Sequence, residues 1–141
     1  MAMNKGVRAT LDRVKVSTNS GTYTGPGLGT LIGEATEEDR YLSINPQADS
    51  YQLIPTDNGK MIDMDKATPN NLVVPLNSTA PFPVGTQVIV RQVGAGQTTI
   101  VGDVGVTFHS KDGLKVSGQY GLATLIKVAV NTWAATGALT A

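Results

Sequence analysis

The sequence predicts an all-β fold: an antiparallel β-sandwich or barrel-like module with an extended N-terminal arm. Three observations support this prediction. Charged residues make up only 16% of the 141 residues, and Gly, Ser, Thr and Asn take their place. From position 41 onward, short apolar runs alternate with turn residues, and no stretch has the periodicity of a convincing amphipathic helix. Many short strands separated by frequent turns are typical of sandwiches and barrels.

The composition changes near residue 40. Residues 17–33 hold five glycines and one proline but few large apolar side chains. Such a stretch cannot bury a core of its own. We therefore expect residues 1–40 to form an extended glycine-rich arm and residues 41–141 to form a single β module.

The strand predictions follow from apolar runs bounded by turn residues. Glycine-containing turns at residues 57–59, 94–96 and 111–113 supply the positive-φ positions that tight hairpins need. Pro75 cannot donate a ladder hydrogen bond, which predicts that its strand lies at a sheet edge. The predicted strands cover residues 51–54, 60–64, 72–76, 87–93, 98–101, 104–108, 114–116, 122–130 and 132–135.

One face of the predicted strand at residues 122–130 is strongly apolar. Alternate residues of a strand point to opposite sides of the sheet, so the even-numbered positions share a face that is apolar except at Thr124. We interpret this face, together with the only tryptophan, as core or as the contact surface of an oligomer. Its predicted members are Leu122, Ile126, Val128, Val130 and Trp133.

Composition argues against several classes of function. Eleven basic and eleven acidic residues cancel, so no overall field would attract nucleic acid or an anionic membrane. The chain has no cysteine and one histidine, which leaves little for metal clusters or histidine-based triads. No apolar run has the length of a signal peptide core or a membrane span. We expect no nucleic-acid or membrane partner, and synthesis in the cytosol.

Motifs that could indicate catalysis are weak. Gly94-Ala95-Gly96 precedes a predicted strand, whereas a dinucleotide-binding loop precedes a helix. His109, Ser110 and Asp112 lie within four positions of one turn, whereas a catalytic triad draws its members from separate elements. By strand alternation, Val104, Val106 and Phe108 form an apolar face, and His109 points to solvent or a partner.

Metal binding and glycan hydrolysis have little support in the acidic residues. Asp63 and Asp65 share a strand face near Asp57, but the segment lacks the glycine and terminal glutamate of an EF-hand. We favour solvated carboxylates over a calcium site. A polysaccharide-degrading enzyme would need paired carboxylates in a groove, and most acidic residues here fall in turns or at 34–39. The sequence therefore predicts no catalytic, cofactor-binding or metal-binding residue.

The C-terminal half carries an ordered series of short motifs. They are FPVGT at 82–86, QVGAGQ at 92–97, GVT at 105–107, GQY at 118–120, ATL at 123–125 with Lys127, Trp133, and TGAL at 136–139. This series resembles a recurrent β domain found toward the C-termini of tailed-bacteriophage virion proteins, including tail fibres and appendages. The resemblance implies a non-enzymatic, commonly trimeric structural protein of the virion, made in the host cytoplasm.

The short arm favours one virion role over another. A fibre usually carries a long shaft before its tip domain, so we expect a capsid decoration (cement) protein on the outer surface of the head. The alternative is a tail fibre, a neck appendage or a receptor-binding tip.

The arm would dock on the major capsid protein. Four basic residues against Asp12 give residues 1–33 a net charge of +3. The residues predicted to dock are Lys5, Arg8, Arg13, Lys15 and Tyr23.

Overall fold

A computed structural model of the chain describes residues 41–141, which form an all-β unit. The arm residues predicted to dock, Lys5 to Tyr23, lie outside the described residues. A short 3₁₀ turn at Pro55–Asp57 is the only helical segment within 41–141. The strands are β1 (Ser43–Gln47), β2 (Tyr51–Gln52), β3 (Lys60–Met64), β4 (Asn70–Val74), β5 (Gln87–Gln92), β6 (Thr98–Gly102), β7 (Thr107–Ser110), β8 (Lys115–Val116), β9 (Leu122–Ala129), β10 (Thr132–Gly137) and β11 (Leu139–Thr140).

The strands form two mixed sheets in a solenoid-like arrangement. The six-stranded sheet has the order β1-β3-β5-β9-β10-β7, and the five-stranded sheet has the order β11-β8-β6-β4-β2. From β1 to β6 the chain passes alternately between the two sheets, so β1, β3 and β5 are parallel neighbours in one sheet and β2, β4 and β6 in the other. Antiparallel pairs join later, between β5 and β9, β9 and β10, β6 and β8, and β8 and β11.

The prediction of purely antiparallel pairing is therefore wrong. The glycine-containing turns lie where the sequence predicts them, but each joins strands of different sheets: β2 to β3, β5 to β6 and β7 to β8. They are not hairpin turns. The hairpin that does form links β9 to β10 at Asn131, which has the left-handed φ of 59° that such a turn requires.

One core fills the space between the two sheets. The six-stranded sheet contributes inward residues such as Ile62, Val90 and Leu125, and the five-stranded sheet contributes Leu72 and Ile100. All five have 1% or less of their surface exposed, which shows that both sheets are covered on this side. The rest of the core is Leu53, Met64, Val74, Ala80, Phe82, Val88, Val116, Ala123, Trp133, Ala135 and Leu139.

Two local predictions need correction. The strand before Pro75 is not at an edge: β4 pairs with both β2 and β6 and ends at Val74, one residue before the proline. The strand predicted at 104–108 begins only at Thr107. Val104 instead lies in a turn and is 96% exposed, so it does not share an inward face with Phe108.

Eight of the ten connections between strands collect at two opposite ends of this unit. We call one the glycine end; it comprises the turns at residues 48–50, 65–69, 93–97 and 117–121. We call the other the valine end; it comprises the turns at residues 53–59, 75–86, 103–106 and 130–131. The strand registers fix this division, since β5 runs toward the glycine end and its antiparallel neighbour β9 runs toward the valine end.

Candidate interaction surface

The outer face of the six-stranded sheet, the side that faces away from the core, is apolar across several strands. In one row of paired positions, Ile44 of β1 lies beside Met61 of β3, which lies beside Ile89 of β5. On β9 the outward residues include Ile126 and Val128, with 36% and 45% of their surface exposed. Six strands about 4.8 Å apart give this face an area of roughly 500 Å². The apolar side chains cover part of this face, which also carries polar residues of β5, β9 and β7, and exposed apolar patches on soluble proteins often mark interaction sites.

The charges on this outer face neutralise each other. Arg91 of β5 donates from Nε and Nη2 to the two carboxylate oxygens of Asp63 on β3, at 2.9 and 2.6 Å. This bidentate hydrogen bond raises the pKa of Arg91 above its ordinary value. The pair leaves the outward side of β3 and β5 without net charge.

The outer face of the five-stranded sheet is more polar. Asn71 of β4 lies beside Thr99 of β6, which lies beside Lys115 of β8. A second row places Gln52 beside Val73, which lies beside Val101 of β6. The two sheets thus differ on their outward sides, and the apolar side belongs to the six-stranded sheet.

The structure divides the residues predicted for the core or oligomer face. Trp133 is buried in the core with 1% exposure, and its ring meets that of Phe82 edge-on at 5.5 Å between centroids. Leu122, Ile126 and Val128 lie on the outer face instead. Val130 lies beyond the end of β9, in a turn of the valine end.

Two polar predictions have different outcomes. His109 is exposed on β7, as the sequence predicts. Asp63 is not a solvated carboxylate, because it is 8% exposed and paired with Arg91. Asp65, two residues further along the chain, is exposed.

At the glycine end, backbone packs directly against backbone. A methyl group added to Gly94 or Gly96 would overlap the backbones of Lys66 and Thr68. Buried polar side chains close this end: Thr98 Oγ1 donates to Asn70 Oδ1 at 2.8 Å, and Gln92 Oε1 accepts from the backbone N–H of Thr98 at 3.2 Å. These contacts satisfy groups that the core would otherwise leave without partners.

The surface of the glycine end carries charge. Lys66 and Asp49 form a salt bridge at 3.1 Å across two of its turns. The pKa of Asp49 is lowered first by the hydrogen bond from the backbone of Ser50 and then by Lys66. Tyr120 is the large apolar side chain exposed among the four turns described for this end.

Each turn of the valine end exposes one large aliphatic side chain. Ile54, Val84, Val104 and Val130 have 48%, 61%, 96% and 65% of their surface exposed. Charge is scarce around them, since residues 75–86 and 130–131 contain no charged side chain. This surface continues from the outer face, because Val130 follows Val128 of β9.

Hydrogen bonds tie the four turns of the valine end together. The N–H of Gly59 donates to the carbonyl of Gln87, and that of Gly85 donates to the carbonyl of Lys127. Asn131 accepts from two segments: its Oδ1 from the N–H of Asn77, and its carbonyl from the N–H of Thr107. The exposed aliphatic residues therefore stand on braced turns.

Lys127 braces the valine end from inside. It is 2% exposed, and its Nζ donates to Asn77 Oδ1 at 2.6 Å and to the carbonyl of Phe82 at 2.8 Å. The ring of Trp133 lies 6.0 Å from Nζ. Burial lowers the pKa of this amine, and among the described residues no carboxylate forms a salt bridge with it.

A buried carboxylate holds the turn at residues 53–59 in place. Asp57 is fully buried and accepts three hydrogen bonds at 2.9 Å, from Asn45 Nδ2, the Tyr51 hydroxyl and the N–H of Ile54. Burial, and then the hydrogen bond to Asp57, raise the pKa of Tyr51. These contacts connect β1 and β2 to the turn that carries Ile54, so Asp57 has a structural role.

Comparisons with known proteins do not add to this geometry. No family model, curated protein or solved structure matches the chain. Within residues 41–141 no group of three or more His, Cys, Asp or Glu side chains is placed to hold a metal ion. The same residues contain no helix long and apolar enough to span a membrane.

Proposed function

We propose that this chain is a structural protein of a tailed-bacteriophage particle, a decoration protein that stabilises the head shell. The observation that carries the proposal is the apolar outer face of the six-stranded sheet, which remains exposed after the core is complete. Such a face supports association of copies of the module. A second support is the ordered series of motifs in the C-terminal half, which resembles the β domains of virion proteins.

In this proposal the copies associate as a trimer through the outer face. Pairing of Asp63 with Arg91 lowers the cost of burying this face, because neither charge lacks a partner when water leaves the contact. Ile126 and Val128 lie near the middle and the end of the longest strand of the face. The polar outer face of the other sheet then remains in contact with solvent.

In this proposal the glycine-rich arm predicted from the sequence attaches the oligomer to the major capsid protein. Several positively charged arms on one oligomer would bind together more tightly than one arm alone. Deleting residues 1–33 should leave a folded, oligomeric module whose occupancy on shells falls sharply. Full-length protein with Lys5 and Arg8 changed to alanine provides an intermediate case. Equal occupancy of the deleted and intact proteins would contradict arm docking.

The proposed function is tested by the amount of the chain in purified particles. A decoration protein is present in a fixed ratio to the major capsid protein, whereas a tail fibre, neck appendage or receptor-binding tip is present in a few copies. Quantitative mass spectrometry of purified particles measures this ratio. A stoichiometric ratio supports the decoration role, a few copies support the tail role, and absence from particles contradicts the proposal.

A further inference from the structure

The valine end continues from the outer face beyond Val128, but it is built from turns and not from a strand face. Its four turns each present one aliphatic side chain at 48% to 96% exposure. The acidic side chains of these turns are Asp57, which is buried, and Asp103, which is half-buried. The surface is therefore nearly uncharged and assembled from four separate segments of the chain, with the four aliphatic side chains set among exposed Thr, Asn and Ser side chains.

The valine end is also preorganised. Lys127, Asn77 and Asn131 fix the turns from within through hydrogen bonds of 2.6 to 2.8 Å. Three of the four exposed residues are valines, whose branched side chains have restricted χ1 rotation. A surface of stiff side chains on braced turns loses little conformational entropy when it binds.

The small area of this end limits its possible partners. Two sheets about 10 Å apart and six strands wide give an end of roughly 250 Å². This is about half the area of the outer face. An end-to-end contact between two copies would therefore be the weaker of the two contacts, and the end is suited to a surface that several copies contact at once.

The side chains argue against a lipid surface. Bilayer-binding surfaces combine aromatic residues at the interface with Lys or Arg. The valine end exposes neither, since Lys127 is buried and Trp133 lies in the core. The apolar, uncharged character fits an apolar patch on a protein.

We propose that the valine end seats the oligomer on an uncharged, apolar patch of the particle's shell protein. This inference rests on the proposed function and names the surface of the module that meets the shell. The arm supplies a contact that salt weakens, and the valine end supplies one that salt does not weaken. All copies of a trimer whose axis runs along the strands present their valine ends to the same side.

The test compares one added charge at each end of the module. Val104→Asp and Val84→Asp place a carboxylate on the valine end, and Ala95→Asp places one on an exposed turn of the glycine end. Full-length variants are added to shells assembled without the chain, and occupancy is measured at low and high salt. We expect about a tenfold or greater loss of apparent affinity for both valine-end variants, because binding would desolvate an unpaired charge. Ala95→Asp should bind like the unsubstituted protein.

Controls separate this inference from the proposed function. All three variants should keep the circular dichroism spectrum and oligomer mass of the unsubstituted protein. Unchanged binding by Val104→Asp and Val84→Asp, or equal loss by Ala95→Asp, would overturn the seating proposal while leaving the chain a particle component. If purified particles lack the chain, the proposed function fails as well, and the particle measurement shows it directly.

A second measurement identifies the partner. A photo-crosslinking amino acid at position 104 in assembled particles should form an adduct with the shell protein. An adduct between two copies of the chain would reassign the end to self-association and overturn the proposal. Cosedimentation with phosphatidylcholine vesicles that Val104→Asp abolishes would reassign it to a bilayer, with the same consequence.

Discussion

Different contacts hold the turns in place at the two ends of the module. At the glycine end, Gly94 and Gly96 let the backbone approach the backbones of Lys66 and Thr68, so the turns support one another directly. At the valine end, side chains of Lys127 and Asn131 hold the turns from inside. The first arrangement leaves no space for a partner between the turns. The second leaves the outward side of each turn free to present an aliphatic residue, which is why we assign binding to the valine end.

The largest expected effect is at the glycine end. Gly96→Ala should abolish cooperative folding or lower the free energy of unfolding by more than about 4 kcal/mol, because the methyl group meets backbone that cannot move aside. Urea denaturation of soluble protein measures the change. Gly118→Ala is the matched control: its added methyl meets nothing within 4 Å, and the effect should stay below about 1 kcal/mol. Equal stability of the two variants would show that close backbone packing does not maintain this end.

A smaller effect is expected from the internal brace of the valine end. Lys127→Met should lower the free energy of unfolding by about 2–3 kcal/mol, because Asn77 Oδ1 and the Phe82 carbonyl lose their buried donor. Lys111→Met is the control, since that side chain is 92% exposed and its removal should cost less than about 0.5 kcal/mol. If Lys127→Met were as stable as the control, the turns would not depend on this brace.

The pH dependence of the same variant tests the buried amine. Burial lowers the pKa of Lys127 in the folded state, so the unfolded chain binds more protons between that value and the ordinary value of about 10.4. Stability contributed by Lys127 therefore rises as pH increases through this window. The difference between unsubstituted protein and Lys127→Met should widen from neutral to alkaline pH. The raised pKa of Tyr51 lowers stability as pH rises above the ordinary tyrosine value of about 10, but it does so in both proteins, so the difference between them removes this contribution. A difference that narrows with pH would contradict the assignment.

The smallest expected effect on stability is at the exposed residues of the valine end. Val104→Asp should change the free energy of unfolding by less than about 0.5 kcal/mol, because the side chain is 96% exposed and packs against little. Thermal or urea denaturation measures this. A loss of several kcal/mol would mean that Val104 supports the turn and is not available to a partner.

The positions of strands could be predicted from the sequence better than their pairing. A strand overlaps every predicted run because alternation and turn residues are local signals. β1 and β11 were not predicted, since SINPQ of β1 contains Pro46 and lacks apolar alternation, and β11 has only two residues. The carbonyl of Gln47 accepts from the N–H of Asp65 beside β3. Successive residues of a strand direct their backbone groups to opposite sides, so the nitrogen of Pro46 faces the free edge of the sheet. The proline therefore removes no hydrogen bond between strands. Which strands pair within each sheet depends on contacts distant in sequence, and the turn glycines could not reveal them.

The candidate site could be predicted only in part for a related reason. Period-two alternation identified the two faces of β9 but not which one points inward. The outward residues Leu122, Ile126 and Val128 are more apolar than the inward series that includes Ala123 and Lys127. The lysine is accepted inside because Asn77 and Phe82 supply acceptors from a segment some 45 to 50 positions away. No local sequence pattern predicts these hydrogen bonds. The same is true of the four aliphatic residues that lie together at the valine end.

The central claim is that copies associate through the outer face of the six-stranded sheet. Sedimentation equilibrium of full-length protein at micromolar concentration tests it most directly, with Ile126→Asp on that face and Val101→Asp on the outer side of the other sheet as the matched control. We predict a trimer for the unsubstituted protein and for Val101→Asp, and a folded monomer for Ile126→Asp, because association would bury an unpaired charge. A monomer for the unsubstituted protein, or a trimer for Ile126→Asp, would contradict the account.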